Sequence, residues 1–149
     1  MRGYTLIELL ITLTIIGMLF GFGFVNFRDY SRRQHLASVA TGVKGDLRLA
    51  QERALSGEMP AGCTGLTSYD FEIAANSYQI LAHCASQVLV KSVDLPVDIT
   101  ASTTLGTISF KVLGNGTNIP AGSEAKVTLT QADGGLTITV TVTPGGEIK

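Results

Sequence analysis

Residues 4–25 read YTLIELLITLTIIGMLFGFGFV, from Tyr4 to Val25, and the fold turns on this stretch. Thirteen of its 22 residues are Leu, Ile, Phe or Val, and Glu8 is its one charge. Coiled as a helix it would be about 33 Å long, against a hydrocarbon thickness of about 30 Å. At roughly −0.3 to −0.6 kcal/mol each, the thirteen large apolar residues contribute about −4 to −8 kcal/mol toward membrane insertion. A carboxylate at the centre of a span costs roughly 2.5–3.5 kcal/mol, and less toward an end. Glu8 lies near an end, so the segment is expected to insert with its acid in place.

That acid requires an explanation. Secretory signal peptides open with basic residues and keep their apolar stretch free of acids, and an ionisable group within a span needs a partner. No Lys or Arg lies between Tyr4 and Phe27, so the partner comes from elsewhere or the carboxyl is protonated. The surrounding residues, Gly3-Tyr4-Thr5-Leu6-Ile7-Glu8-Leu9-Leu10 after Met1-Arg2, resemble the class III signal of type IV prepilins. That signal is a basic leader ending in Gly, then an aromatic residue or Met, then Thr-Leu-Ile-Glu. Tyr4 stands where the family usually has Phe.

The resemblance implies cleavage between Gly3 and Tyr4 by a prepilin peptidase, with N-methylation of Tyr4. Glu8 then becomes the fifth residue and can meet the Tyr4 amine of a neighbouring copy. An ion pair in low dielectric offsets a large desolvation cost, so its expected effect is to set the register of assembly. The resemblance also implies a single pass through the inner membrane with the C-terminal domain periplasmic, an inner-membrane assembly platform, and other pilin or pseudopilin subunits as filament partners. Charge works against that orientation. Arg28, Arg32 and Arg33 follow the span and Arg2 precedes it, which under the positive-inside rule favours the reverse. Gly17 and Gly21 form a small-xxx-small pair that would let helices approach closely.

Beyond the span, Leu36, Ala40, Val43, Leu47, Ala50 and Ala54 recur every three or four residues, the mark of one apolar helix face. Gly57, with Pro60 beyond it, supplies a stop. The expected divisions are a leader at 1–3, a transmembrane and filament-core helix at 4–25, an amphipathic second half of the helix at 26–57, and a β-rich head at 58–149. The stretch Leu47-Arg48-Leu49-Ala50-Gln51-Glu52-Arg53-Ala54-Leu55-Ser56-Gly57 is similar to the late-helix pattern of the GspH/FimT family of minor pseudopilins and minor type IV pilins, with Gln51 where Arg is commoner. This likeness implies a minor subunit of a type IV pilus or of a type II secretion pseudopilus.

From Ser68 the period becomes two. Tyr69, Phe71 and Ile73 alternate with polar neighbours, as do Ile108, Phe110 and Val112, then Val127 and Leu129. Leu136, Ile138, Val140 and Val142 interleave with four threonines, predicting a strand with one solvated face. Ala75-Asn76 and Asp133-Gly134-Gly135 are expected to turn hairpins. About six or seven mostly antiparallel strands under a long helix make an α+β chain that resembles the pilin fold.

The net charge of −1 gives no global basic field. The mean hydropathy of +0.31 reflects the N-terminal run. Cys63 and Cys84 are the two cysteines. They suit either a disulfide closing a loop of about 22 residues, worth roughly 3 kcal/mol, or two buried thiols; an exported domain favours the disulfide. His35 and His83 are isolated and read as structural. Asp70, Glu72, Asp94 and Asp98 do not fall in a calcium-binding order. Asn115-Gly116-Thr117 fits a glycosylation sequon and equally a turn. No nucleophile–base, phosphate-loop or zinc spacing appears, so no enzyme activity, cofactor or metal is expected. Some T-type minor pilins bind DNA through basic C-terminal residues. Pro144–Lys149 carries one Lys and one Glu, so the alternative of a DNA-binding competence pilin lacks the clustered cations that phosphate binding needs.

Overall fold

The computed structural model describes residues 5–132 and 135–149, with the backbone alone at residues 22–26. Its elements are helix α1 (Leu6–Ser56), then β1 (Ser68–Ile73), β2 (Ser77–His83), β3 (Gln87–Asp94), β4 (Ile99–Thr103), β5 (Thr107–Lys111), β6 (Ala125–Gln131) and β7 (Thr137–Val142), with a single 3-10 turn at Val112–Gly114. The chain divides into two compact units, residues 1–35 and 36–149.

The helix ends where Gly57 predicts, and the reason is visible in the backbone. Gly57 takes φ +64°, which a glycine adopts without a Cβ penalty. The Glu58 N–H donates to the Arg53 carbonyl and the Gly57 N–H to that of Ala54, both at 3.2 Å. These two bonds satisfy carbonyls that the helix end would otherwise leave open, in the Schellman arrangement.

Seven antiparallel strands follow, and they form two sheets. One has the order β3-β2-β1-β5 and the other β4-β6-β7. β1 pairs with β2 from Ser68↔His83 to Ile73↔Tyr78 and with β5 from Ser68↔Lys111 to Glu72↔Thr107. The turn between β1 and β2 falls at Ala75-Asn76, as read from the sequence. The β2–β3 register shifts at Ile80/Leu81, a bulge that breaks the regularity of the outer strand. β4 pairs with β6 and β6 with β7. The predicted turn residues Asp133 and Gly134 lie outside the described residues.

All six residues of the predicted apolar face, Leu36, Ala40, Val43, Leu47, Ala50 and Ala54, are buried. They share one core with Tyr69, Phe71, Ile80, Ile99, Ile108, Phe110, Val127, Leu129, Val140 and Val142. Three of the six helix residues are alanines, which let the backbone approach the strands while the aromatic and branched residues of the strands fill the volume. The result is a helix packed on antiparallel sheet, the α+β pilin-like arrangement.

Candidate functional site

The helix start is built by its own sequence. Thr5 precedes the first helical residue, its carbonyl accepts the Glu8 and Leu9 N–H groups at 3.1 and 3.3 Å, and its Oγ1 lies 3.4 Å from the Glu8 nitrogen. Thr5-Leu6-Ile7-Glu8 has the spacing of a capping box, and an acid in the first turn is favoured by the unpaired N–H groups there. The Thr-x-x-Glu spacing was available in the sequence as a start signal independent of any processing role.

Every residue from Thr5 to Gly21 is exposed. Eleven of them are large hydrophobics, from Leu6 at 81% to Ile16 at 48%. An apolar surface on all sides of a helix has no stable place in water. Taking a fully exposed side chain of this kind out of water is worth about 1.5–3 kcal/mol, and these eleven still have about half or more of that to gain. Among the described residues no helix is long and apolar enough to cross a membrane, the run described with side chains ending at Gly21. A Cβ added at Gly17 or Gly21 would meet nothing within 4 Å, so both glycines leave open surface against which another helix can sit. The expected cleavage pair, Gly3 and Tyr4, lies outside the described residues.

The second unit holds its helix by polar anchors as well as by its core. Asp46 is buried, and its carboxylate accepts from Tyr78 Oη at 2.8 Å and from Lys91 Nζ at 2.6 Å. Burial and the adjoining carboxylate push the Tyr78 phenol well above its ordinary range. Tyr78 also stacks on Phe71, ring centroids 5.1 Å apart. Nearer the helix end, Gln51 Nε2 donates to the Gly146 carbonyl at 2.8 Å. Tyr69 Oη donates to the Glu58 carbonyl at 2.6 Å, and burial raises that phenol too. The Asp46 anchor was missed in the sequence. Its signal was there, since Asp46 stands three residues after Val43 and four before Ala50, inside the core-facing sector.

Cys63 and Cys84 form a disulfide, Cα atoms 5.5 Å apart. It ties the loop after α1 to the residue after β2, next to the Ala85 N–H bond to the Thr64 carbonyl and the Thr67 N–H bond to the His83 carbonyl.

Of the remaining candidates, His83, Asp70, Asp98 and Thr117 are tied to neighbours in the fold. His83 Nδ1 lies 3.2 Å from Asp70 Oδ2, and Ser68 Oγ donates to Asp70 Oδ1 at 2.8 Å. Asp70 is therefore held by its neighbours on β1 and β2. Asp98 accepts from Gln131 Nε2 at 3.1 Å. Among the described residues no three His, Cys, Asp or Glu side chains come together to hold a metal ion. Thr117 of the sequon is buried and donates to the Pro144 carbonyl at 2.9 Å. The C-terminal residues fold back on β7: Lys149 exchanges backbone bonds with Thr141, and Lys149 Nζ pairs with Glu147 at 3.2 Å.

Residues 1–24 match the prokaryotic N-terminal methylation motif, which covers Glu8 and all of the apolar run but Val25 and supports a type IV pilin-like subunit. No curated protein and no solved structure matches the chain.

Proposed function

We propose that this chain is a minor structural subunit of a type IV pilus or of a type II secretion pseudopilus, made as an inner-membrane precursor with its β-rich unit on the periplasmic side. A prepilin peptidase removes Met1–Gly3 and Tyr4 becomes the N-methylated first residue. The observation that carries this reading is the joint presence of the methylation motif at residues 1–24 and a helix start whose large apolar residues are all exposed. Lipid covers that surface before assembly and the helices of other subunits cover it afterwards.

Glu8 is the polar exception on this surface. A neighbour's Tyr4 ammonium neutralises it only when the two helices stand at one axial offset. Any other offset leaves a carboxylate in apolar surroundings, and an uncompensated buried charge costs about 3–5 kcal/mol. The pair thus selects a register. The low-copy role rests on the likeness of Leu47–Gly57 to GspH/FimT chains. As no catalytic constellation was read in the sequence, the role is one of assembly and contact.

The test is incorporation into filaments. In cells supplying a prepilin peptidase and an assembly platform, a Glu8→Ala variant is processed but enters sheared filaments at no more than about a tenth of the wild-type level, the equivalent of ~1.4 kcal/mol. Equal incorporation of the two would refute the role given to Glu8.

A further inference from the structure

The connection between β3 and β4 carries a residue the fold does not account for. Val97 is fully exposed, yet the turn around it is tightly held. Leu95 is buried and its N–H donates to the Asn76 carbonyl at 2.8 Å; the Ile99 N–H donates to the Pro96 carbonyl at 2.9 Å, and Ile99 is fully buried. Pro96 stiffens the turn from within. Asp98 is fixed by Gln131 through its side chain, and by the Ala132 N–H bond to its carbonyl at 2.9 Å. The outcome is a rigid apolar tip between two acids, Asp94 and Asp98. A tip already ordered loses little entropy on docking.

The same unit holds a groove with two lysines at its rim. It has a volume of about 260 Å³ and lies between α1 and β7; Ala37, Ala40, Thr41, Ile138 and Val140 line it, with Lys44 and Lys149 beside them. Its floor is apolar, and its ammonium groups come from α1 and from the C-terminal residues that fold back on β7. Lys149 pairs with Glu147 at 3.2 Å, so Lys44 carries most of the groove's positive charge. β4, which follows the tip, and β7, which walls the groove, are opposite edges of the three-stranded sheet. One copy therefore cannot place its own tip in its own groove.

We infer that the Val97 tip of one copy docks in the Lys44–Lys149 groove of a second copy, with Asp94 and Asp98 facing the two lysines. Val97 meets the apolar floor and the acids give the contact its direction and selectivity. Two different patches meet, so the interface is heterologous, and repeated it gives an open array rather than a closed dimer. This rests on the filament-subunit reading and adds to it a head contact that the apolar helix does not provide. Two adjacent copies are enough to form it.

Cysteine cross-linking of the full chain tests this. The chain carries Val97→Cys together with Thr41→Cys, and is expressed with a prepilin peptidase and an assembly platform. Cross-linked dimers, and higher multimers where copies run consecutively, are expected in the filament fraction. Each single variant should give several-fold less. Lys44→Glu on the double-cysteine background should abolish the cross-link, and adding Asp94→Lys should restore it. Filaments that incorporate the double-cysteine chain without cross-linking would overturn the contact and leave the filament reading standing. Failure to enter filaments despite normal folding would overturn both. A cross-link indifferent to Lys44→Glu would overturn the charge pairing on which the inference depends.

Discussion

Replacing Asp46 by alanine separates anchoring of the helix from hydrophobic packing. The substitution removes the acceptor of Tyr78 Oη, a hydroxyl on a residue 5% exposed. A buried donor left without a partner costs about 1–3 kcal/mol. The Lys91 half of the network is worth less, because the Lys91 side chain is 43% exposed and regains water when its partner goes; an ion pair of that kind contributes about 0–1 kcal/mol. Together the expected loss for Asp46→Ala is about 1–4 kcal/mol. In urea, with a slope of about 1.5–2 kcal/mol/M for a unit of this size, the midpoint moves down by about 0.5–2.7 M. The assay is equilibrium unfolding of a fragment spanning Tyr30–Lys149, which includes the whole compact unit from Leu36. Asp46→Asn keeps an acceptor for Tyr78 and should lose about 1 kcal/mol or less. In a Tyr78→Phe background the cost of Asp46→Ala should fall by about 1 kcal/mol, the coupling between two groups in contact. A loss below about 0.5 kcal/mol for Asp46→Ala, or equal losses with and without the Tyr78 hydroxyl, would refute the reasoning.

Three further outcomes follow from the same unit. Replacing both Cys63 and Cys84 by serine frees a loop closed across a separation of 21 residues and should cost about 3 kcal/mol, read as a lower urea midpoint that reducing agent does not lower further. Gly146→Ala places a Cβ 2.7 Å from Gln51 Nε2 at a backbone φ of +88°; breaking the Gln51 bond and forcing that conformation should cost about 1–3 kcal/mol, and unchanged thermal stability would contradict it. The raised phenols of Tyr78 and Tyr69 mean that the folded state holds those protons more tightly than the unfolded state. Their contribution is therefore complete below about pH 10, where an unfolded tyrosine titrates, and drains away as pH rises beyond it. Tyr78→Phe should flatten that alkaline decline.

The parts of this fold most legible in the sequence are those governed by period and by backbone geometry. Six apolar residues at helical spacing named the buried face of α1 correctly because packing on a sheet demands one stripe and no more. Gly57 gave the helix end because its conformation is one other residues avoid. Tyr69, Phe71 and Ile73, or Val127 and Leu129, showed their strands because one side of each faces the core. β3 and β4 were not located. β3 is an outer strand whose inward residues Val88, Val90 and Val93 are only partly buried, and its alternation breaks at Lys91-Ser92 beside the bulge, so the period of two is weak in its sequence. β4 is short and built of Thr, Ser and Ala beside Ile99. The split of seven strands into two sheets also left no local trace, since strand order depends on contacts between residues distant in the chain. At the site, Glu8 stood out because a lone acid in an apolar run has few explanations. Asp46 did not, because its partners Tyr78 and Lys91 are 32 and 45 residues away.

The filament-subunit reading makes Tyr4 the first residue of the working protein and Glu8 its fifth. Mass spectrometry of the full chain, purified from membranes with and without a co-expressed prepilin peptidase, measures this directly. The peptidase should convert the chain to one beginning at N-methylated Tyr4, with Met1-Arg2-Gly3 lost. A chain that keeps Met1 in the presence of active peptidase, or is cut elsewhere, would contradict it.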